Sequence, residues 1–270
     1  MKWVNKMKPL FKLLTELSSR KTISKWTGRF AKSRMSKGLI RPFIKTYKIQ
    51  LEEAEQPIES FHTLNQFFTR KLKPGARPID AHPNSIISPV DGKITGMGRV
   101  HTGRMIDIKG QHYDLLALLN DSPRSVRYEH GYFIVLYLSP SDYHRIHAPV
   151  SGIFMDKDHI AGKVYPVHDF SMRHIPQVLS RNERLVSYWQ TEQFGEVAVV
   201  KVGALNVSSV RYTEPLQEKI VRGEELAWFE FGSTVVVLIE SEEVKPCIDL
   251  KVGDHVKMGQ RLGLFHHESK

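Results

Sequence analysis

Gly232-Ser233-Thr234 sets a hydroxyl directly after a glycine carbonyl. The Ser233 oxygen reaches the Gly232 carbonyl carbon through a five-membered ring, so its attack is intramolecular, and preorganisation of this kind is worth roughly 7 to 11 kcal/mol of barrier. The chemistry open to such a pair is backbone self-cleavage, in which an amide becomes an ester. It needs a base and a group that orients the base. Gly-Ser-Thr serves equally well as a bulge or turn, so the triplet becomes informative only if those partners exist. Among thirteen histidines, His144 and His147 stand out in Ser141-Asp142-Tyr143-His144-Arg145-Ile146-His147-Ala148-Pro149, which follows an apolar run at 132–138. A loop at the end of a rigid strand is a favoured place for reactive groups. The His-x-x-His spacing also suits a metal, but no third ligand stands at a telling spacing and none is expected. Asp91, in Ser88-Pro89-Val90-Asp91-Gly92, is the candidate orienting acid, although Asp-Gly is equally explained by a turn. Spacing alone does not bring Asp91, His147 and Ser233 together.

The elements that must position these groups read as strands. Trp228, Phe229 and Phe231, then 235–239, have aromatic and β-branched strand content, with Gly232-Ser233-Thr234 interrupting them. Asp91-Gly92 between 85–90 and 93–100 predicts a β-hairpin. Further strands are expected at 104–109, 132–138, 152–155, 184–190, 197–202 and 207–212, and one or two helical turns at 113–120. A short helix is expected over 60–71, with Leu64, Phe67 and Phe68 on one side, and Lys73-Pro74-Gly75-Ala76-Arg77-Pro78 marks a boundary near 75. Turn chemistry separates short strands around 253–260, and no sustained helix is expected after about 120. The fold expected is α+β: a mainly antiparallel, barrel- or sandwich-like β core with an N-terminal amphipathic helical membrane-binding region. The phrase over 252–262 also resembles biotinyl and lipoyl carrier domains, which makes a swinging-arm carrier a second function class, but the exposed hairpin that would present a modified lysine is missing.

Residues 1–50 hold 14 Lys or Arg against one acid, Glu16, while the other 220 hold 25 basic and 28 acidic side chains, so the net +10 is a basic arm on a nearly neutral body. Trp3, Val4, Met7, Leu10, Phe11, Leu14 and Leu17 recur at helical steps among lysines, and Ile23, Trp26, Phe30 and Ile40, Phe43, Ile44, Tyr47 repeat the pattern. Basic amphipathic helices with aromatic anchors suit an anionic membrane surface, each basic side chain adding about 1 kcal/mol; packing on the body is the alternative use of the same faces. No apolar run approaches the roughly 20 residues that span a bilayer. The single cysteine, Cys247, excludes an internal disulfide.

Five ordered phrases carry a family resemblance: Leu64-Asn65-Gln66-Phe67-Phe68-Thr69-Arg70, Pro74-Gly75-Ala76-Arg77-Pro78-Ile79, Ser88-Pro89-Val90-Asp91-Gly92, Leu138-Ser139-Pro140-Ser141-Asp142-Tyr143-His144-Arg145-Ile146-His147 and Phe231-Gly232-Ser233-Thr234. From about residue 60 onward the chain closely resembles the bacterial membrane-associated, pyruvoyl-dependent phosphatidylserine decarboxylases of prokaryotic type I. The resemblance implies that Asp91, His147 and Ser233 form a self-processing triad and that His144 is a second active-site histidine, a candidate proton donor and substrate contact. It implies cleavage between Gly232 and Ser233 into a beta chain, 1–232, and an alpha chain, 233–270, with Ser233 converted to a covalent pyruvoyl group. That group would form a Schiff base with phosphatidylserine and release carbon dioxide and phosphatidylethanolamine, a step of phospholipid biosynthesis. The partners implied are phosphatidylserine, an anionic membrane surface and the heterodimer of the chain's own two pieces. Nucleic acid is not among them, and homo-oligomerisation is left open. The place implied is the cytoplasmic side of the cell membrane, peripherally bound, by a region 1–75 attached to a β-rich catalytic domain 76–270. Two positions depart from the family: Phe231 replaces a common Leu, and Ser208 stands where Gly is expected. A triad hydrolase with an intact chain, or a pyruvoyl enzyme acting on a free amino acid, shares parts of this pattern.

Overall fold

A computed structural model describes residues 21–101, 104–108, 111–167, 172, 174–204, 210–213, 218–230 and 233–265. The amphipathic series from Trp3 to Leu17, the Val207-Ser208-Ser209 turn, and Phe231 with Gly232 lie outside the described residues. In the rest of the arm, α1 (Lys21–Lys32), a 3-10 turn at Arg34–Leu39 and α2 (Ile40–Tyr47) follow one another. α3 (Leu64–Phe68) starts where the Thr63 hydroxyl accepts the Gln66 amide, and it stops after five residues. The helix expected over 60–71 is shorter because Ile58–Ser60 forms its own 3-10 turn, and the Thr69 hydroxyl bonds back to the Asn65 carbonyl. Ile40, Ile49, Phe61 and Phe67 bury the seam between these pieces.

The body is a large antiparallel sheet. Its order is β11 (Lys219–Ile220), β7 (Gly152–Ile160), β8 (Arg184–Gln190), β9 (Glu196–Gly203), β13 (Ser233–Ile239), β5 (Tyr132–Leu138), β2 (Gly92–His101), β3 (Arg104–Ile108) and β4 (Gln111–Asp114), with β15 (His255–Val256) also paired to β2. β13 is buried on both faces: Val236 and Leu238 join one core, Val235, Val237 and Ile239 the other. That is why 235–239 is an unbroken apolar run without alternation. The first face is covered by α4 (Leu115–Leu118) and α5 (Val178–Arg181). The second packs on two small sheets, β10 (Val210–Tyr212) with β12 (Glu225–Phe229) and β6 (Arg145–His147), and β1 (Ser85–Ile87) with β16 (Arg261–Phe265) and β14 (Val244–Pro246). This is a mainly antiparallel β architecture with few helices, and no described helix is long and apolar enough to cross a membrane.

The hairpin predicted at Asp91-Gly92 does not form. β1 pairs with β16 at the far end of the chain, Ser85 opposite Leu264, whereas β2 pairs with β5 and β15. The connecting backbone is already occupied, since Ser88 N donates to the Gln260 carbonyl at 2.8 Å and Gly259 N to the Ser88 carbonyl at 3.0 Å. Gly92 answers to a close approach instead of a tight turn: a Cβ there would sit 2.7 Å from the Tyr137 carbonyl oxygen. Likewise the helix expected over 113–120 gives its first residues to β4 and begins only at the Asp114 cap, whose carboxylate accepts the Leu116 amide at 2.7 Å.

Candidate active site

The strand register and the loop after β5 bring the backbone of the sequence-selected residues toward one end of the central strands. Residue 233 opens β13 between Leu138, the last residue of β5, and Gly203, the last of β9; Lys93, next to Asp91-Gly92, pairs with Tyr137 across the other side of β5. The loop leaving Leu138 is tied by Ser139 N to the Asp142 carboxylate at 2.7 Å, and it runs directly into His144 and β6. His147 therefore lies in a short strand, not in the loop itself. β6 pairs with β12, and Phe229 N donates to the His144 carbonyl at 2.9 Å. The strand that delivers the chain to 232 and the strand carrying His147 are thus directly bonded.

His147 is buried, and its Nδ1 hydrogen bonds the Gly223 carbonyl at 2.8 Å. A carbonyl accepts only, so Nδ1 carries the proton and Nε2 presents its lone pair, toward which Tyr143 Oη donates at 3.1 Å. Burial holds this imidazole below its ordinary value and keeps it neutral. His144 has the same tautomer, with Nδ1 donating to the Asp142 carbonyl at 2.8 Å. Its ring lies on Phe68 with centroids 3.9 Å apart, and its Nε2 is buried without a hydrogen-bond partner among the described residues. Asp91 is bound elsewhere. Its carboxylate takes Arg77 Nε at 2.8 Å and Nη2 at 2.6 Å and the Met258 amide at 2.8 Å, while Arg77 Nη2 also holds Glu53 at 2.7 Å. Burial alone would depress Arg77, but its bonds to Asp91 and Glu53 win and raise it. Asp91 and His147 are neighbours, since His147 N donates to the Pro89 carbonyl at 2.8 Å, yet the acceptor that fixes the His147 tautomer is Gly223.

The family model for phosphatidylserine decarboxylase matches residues 64–264. Proteins named phosphatidylserine decarboxylase proenzyme are 39% identical in Anoxybacillus flavithermus, over 98% of this chain and 99% of theirs, and 39% identical in Brevibacillus brevis, over 89% and 92%. A Geobacillus relative of the same name is 39% identical over 95% of this chain and 98% of its own. The chain belongs to the phosphatidylserine decarboxylase family. Within this member of the family, among the described residues, no group of three or more His, Cys, Asp or Glu could hold a metal ion.

Phosphatidylserine decarboxylase motifs mark both histidines, Asp91 and Ser233, but not the groups that hold them. Arg77, Tyr143, Gly223 and Phe68 escape the sequence reading as site residues. Arg77 lies inside one of the five phrases, where it reads as part of a breaker-rich connection; nothing local marks Gly223, whose part is its carbonyl. Lys201 escapes it too. It is fully buried in β9, bonded to Ser187 Oγ at 2.8 Å and the Val199 carbonyl at 3.0 Å, and burial pushes it down to about 7.

The burial of His144 has a stability consequence. Burial first, with the Arg70 charge adding to it, lowers its pKa to about 3 from an ordinary 6.5. A folded-state pKa below the unfolded one means stability that is complete above about 6.5 and is lost as pH falls toward about 3, because the unfolded chain takes up the proton first. By about pH 4 the wild type should have lost about 3 kcal/mol more than a His144→Asn variant, relative to neutral pH. Denaturant unfolding of the two proteins at both pH values checks this; parallel losses would show that His144 does not titrate this way.

Proposed function

We propose that this chain is a self-processing, pyruvoyl-dependent decarboxylase that converts phosphatidylserine to phosphatidylethanolamine and carbon dioxide at a membrane surface. The observation that carries the reading is the register of residue 233 against Leu138, because the segment leaving Leu138 holds both histidines. In maturation, His147 Nε2 accepts the Ser233 hydroxyl proton as the oxygen attacks the Gly232 carbonyl carbon, and the Gly232–Ser233 C–N bond breaks to leave an ester and a free amine. Loss of the Ser233 α-proton expels the Gly232 carboxylate; the resulting dehydroalanine hydrolyses to a pyruvoyl terminus and ammonia. The lone pair that would take the serine proton is the one Tyr143 Oη donates to, so the two hydroxyls must exchange there. Asp91 acts on His147 through space, by a charge that favours the imidazolium, and through the Arg77 clamp that holds its segment in place.

The residues fit a pyruvoyl group at 233, since a buried, unpartnered imidazole nitrogen stands in the loop that leaves its strand partner. Such a group supplies an electron sink for the pair left when the carboxylate departs. His144 is the candidate that returns a proton to the α-carbon of the product: its unpartnered Nε2 must be loaded with one first, against the burial that holds the ring neutral. Mass spectrometry of the purified protein tests the reading: two chains, 1–232 and 233–270, the second lacking an ordinary N-terminal serine, with carbon dioxide released from phosphatidylserine. One intact chain in an active preparation would refute it.

The region 1–75 is proposed to attach the enzyme to anionic lipid and 76–270 to carry the chemistry, with Phe68 lent across the boundary. Trp26 is 73% exposed, Phe30 43% and Met35 79%, beside Arg29, Lys32 and Arg34. Lys32 also pairs with Glu230 at 2.7 Å, tying α1 to the segment just ahead of 232. Replacing Trp26 and Phe30 together by Ser should weaken binding to phosphatidylserine-containing vesicles about tenfold or more without lowering the melting temperature. Unchanged sedimentation with vesicles would leave these side chains without a membrane role.

A further inference from the structure

The candidate site has a cation that neither the proposed maturation nor the proton transfers use. Arg70 follows α3 and is 5% exposed. Its Nη2 donates to the Ser141 carbonyl at 3.2 Å, and its guanidinium carbon stands 5.1 Å from the centre of the Phe67 ring. Nε and Nη1 are buried with no hydrogen-bond partner among the described residues. A buried guanidinium with unmade hydrogen bonds is costly, and burial does depress it, with the charges of Asp91 and Asp142 working the other way. Arg70 also lines an open cavity of about 360 Å³, together with Lys71, Arg145, Gln66, Ser60 and Glu55. Arg145 is already engaged, by the Thr69 carbonyl at 3.1 Å and Glu225 at 2.5 Å, which leaves Arg70, whose Nε and Nη1 are themselves buried, as the lining guanidinium with hydrogen bonds unmade.

We infer that this cavity is the subsite for the phosphodiester of the phospholipid headgroup and that Arg70 is the residue that binds it. The inference rests on the decarboxylase reading above and names a specificity residue for it. Its position fits: Phe68, two residues before Arg70, lies against the His144 ring with centroids 3.9 Å apart, while the cavity lining does not include that ring, so an anion at Arg70 sits near the acid–base group and not on it. The choice between the headgroup's two anions follows from the reaction. The carboxylate loses its charge as carbon dioxide leaves, so an arginine on it would stabilise the ground state more than the transition state and slow the step. The phosphodiester keeps its charge throughout, and an arginine there binds both states equally.

Uniform binding predicts a specific kinetic signature. With soluble dihexanoyl phosphatidylserine as substrate, processed Arg70→Gln should show KM raised about tenfold to hundredfold, the scale of a lost charged hydrogen bond. Its kcat should stay within about twofold of the wild type. Dihexanoyl phosphatidylethanolamine has the phosphodiester and no carboxylate, and its Kd by titration calorimetry should rise by the same factor. A raised KM with an unchanged Kd for that product would assign Arg70 to the carboxylate and overturn the proposal, as would two unchanged constants or a fall confined to kcat. Gln66 is an exposed wall residue whose Oε1 accepts the His62 amide, so Gln66→Glu preserves that bond while placing a negative charge in the cavity. If Arg70→Gln fails to fold or to cut itself, Gln66→Glu decides: it should raise both constants severalfold, and no change in either overturns the proposal. Wild-type carbon dioxide release is the separate gate on the activity, and the calorimetric comparison can be read whether or not turnover is seen.

Discussion

Ser233→Ala should yield one uncut chain of 270 residues that releases no carbon dioxide from phosphatidylserine. The hydroxyl is the only group at that position able to attack the preceding carbonyl, and its removal takes away both the cut and the precursor of the ketone. No neighbouring side chain replaces a pyruvoyl group, because ordinary amino acids have no carbonyl that accepts a carbanion's electrons. Residue 233 is held by strand pairing on both sides, opposite Leu138 and Gly203, and alanine keeps the backbone amide and carbonyl that pair there. The variant should therefore fold and melt like an uncut wild type, so lost activity cannot be assigned to lost structure. An intact mass with no second chain is the expected result; two chains from this variant would sink the proposed chemistry. A triad hydrolase separates cleanly, since it would keep an intact wild-type chain and react at Ser233 with acylating reagents.

What the sequence showed of this fold depended on whether the signal was local. Strands β5 and β8 lie where β-branched and aromatic runs put them. β13 does so over 235–239 but also takes in Ser233 and Thr234, which the sequence reads as an interruption, because pairing on both sides holds polar residues in a strand as well. The Asp91-Gly92 pair misled, because a turn signature says nothing about which strand a segment will pair with, and the partner of β1 is β16, on the far side of the chain. The same limit applies to the site. Motif phrases contain His144, His147, Asp91 and Ser233, but which acceptor sets a histidine tautomer is decided by the tertiary fold. Here that acceptor is the carbonyl of Gly223, a residue at φ +91° against the Ile79 side chain, whose part is played by backbone and so leaves no side-chain signature. Arg70 and Arg77 lie inside the phrases that carry the resemblance, but only burial and unmade or doubly made hydrogen bonds distinguish them from surface arginines.

His147→Ala should slow self-cleavage by about 10² to 10⁴-fold, the usual worth of a positioned general base, and change stability far less than its neighbour does. The imidazole is arranged to act as that base, because Gly223 holds the Nδ1 proton, the Nε2 lone pair can accept once the Tyr143 hydroxyl gives way, and burial keeps the ring neutral at ordinary pH. Cleavage in the wild type should accordingly be level around neutrality and fall on acidification below the ordinary histidine value of about 6.5, as Nε2 becomes protonated. Asp91→Asn should behave differently. Arg77 is 7% exposed on its side chain and Asp91 9%, so neutralising the acid leaves a buried guanidinium with Glu53 as its remaining carboxylate, a loss of about 3 to 5 kcal/mol when such a pair is broken. That variant should lose melting temperature and cleavage together, whereas His147→Ala should lose cleavage with a much smaller change in melting temperature. Time courses of chain cutting set beside thermal melts distinguish the two. Wild-type cutting in His147→Ala would move the base elsewhere, and an unshifted melt in Asp91→Asn would mean that the Arg77 clamp contributes little to the fold.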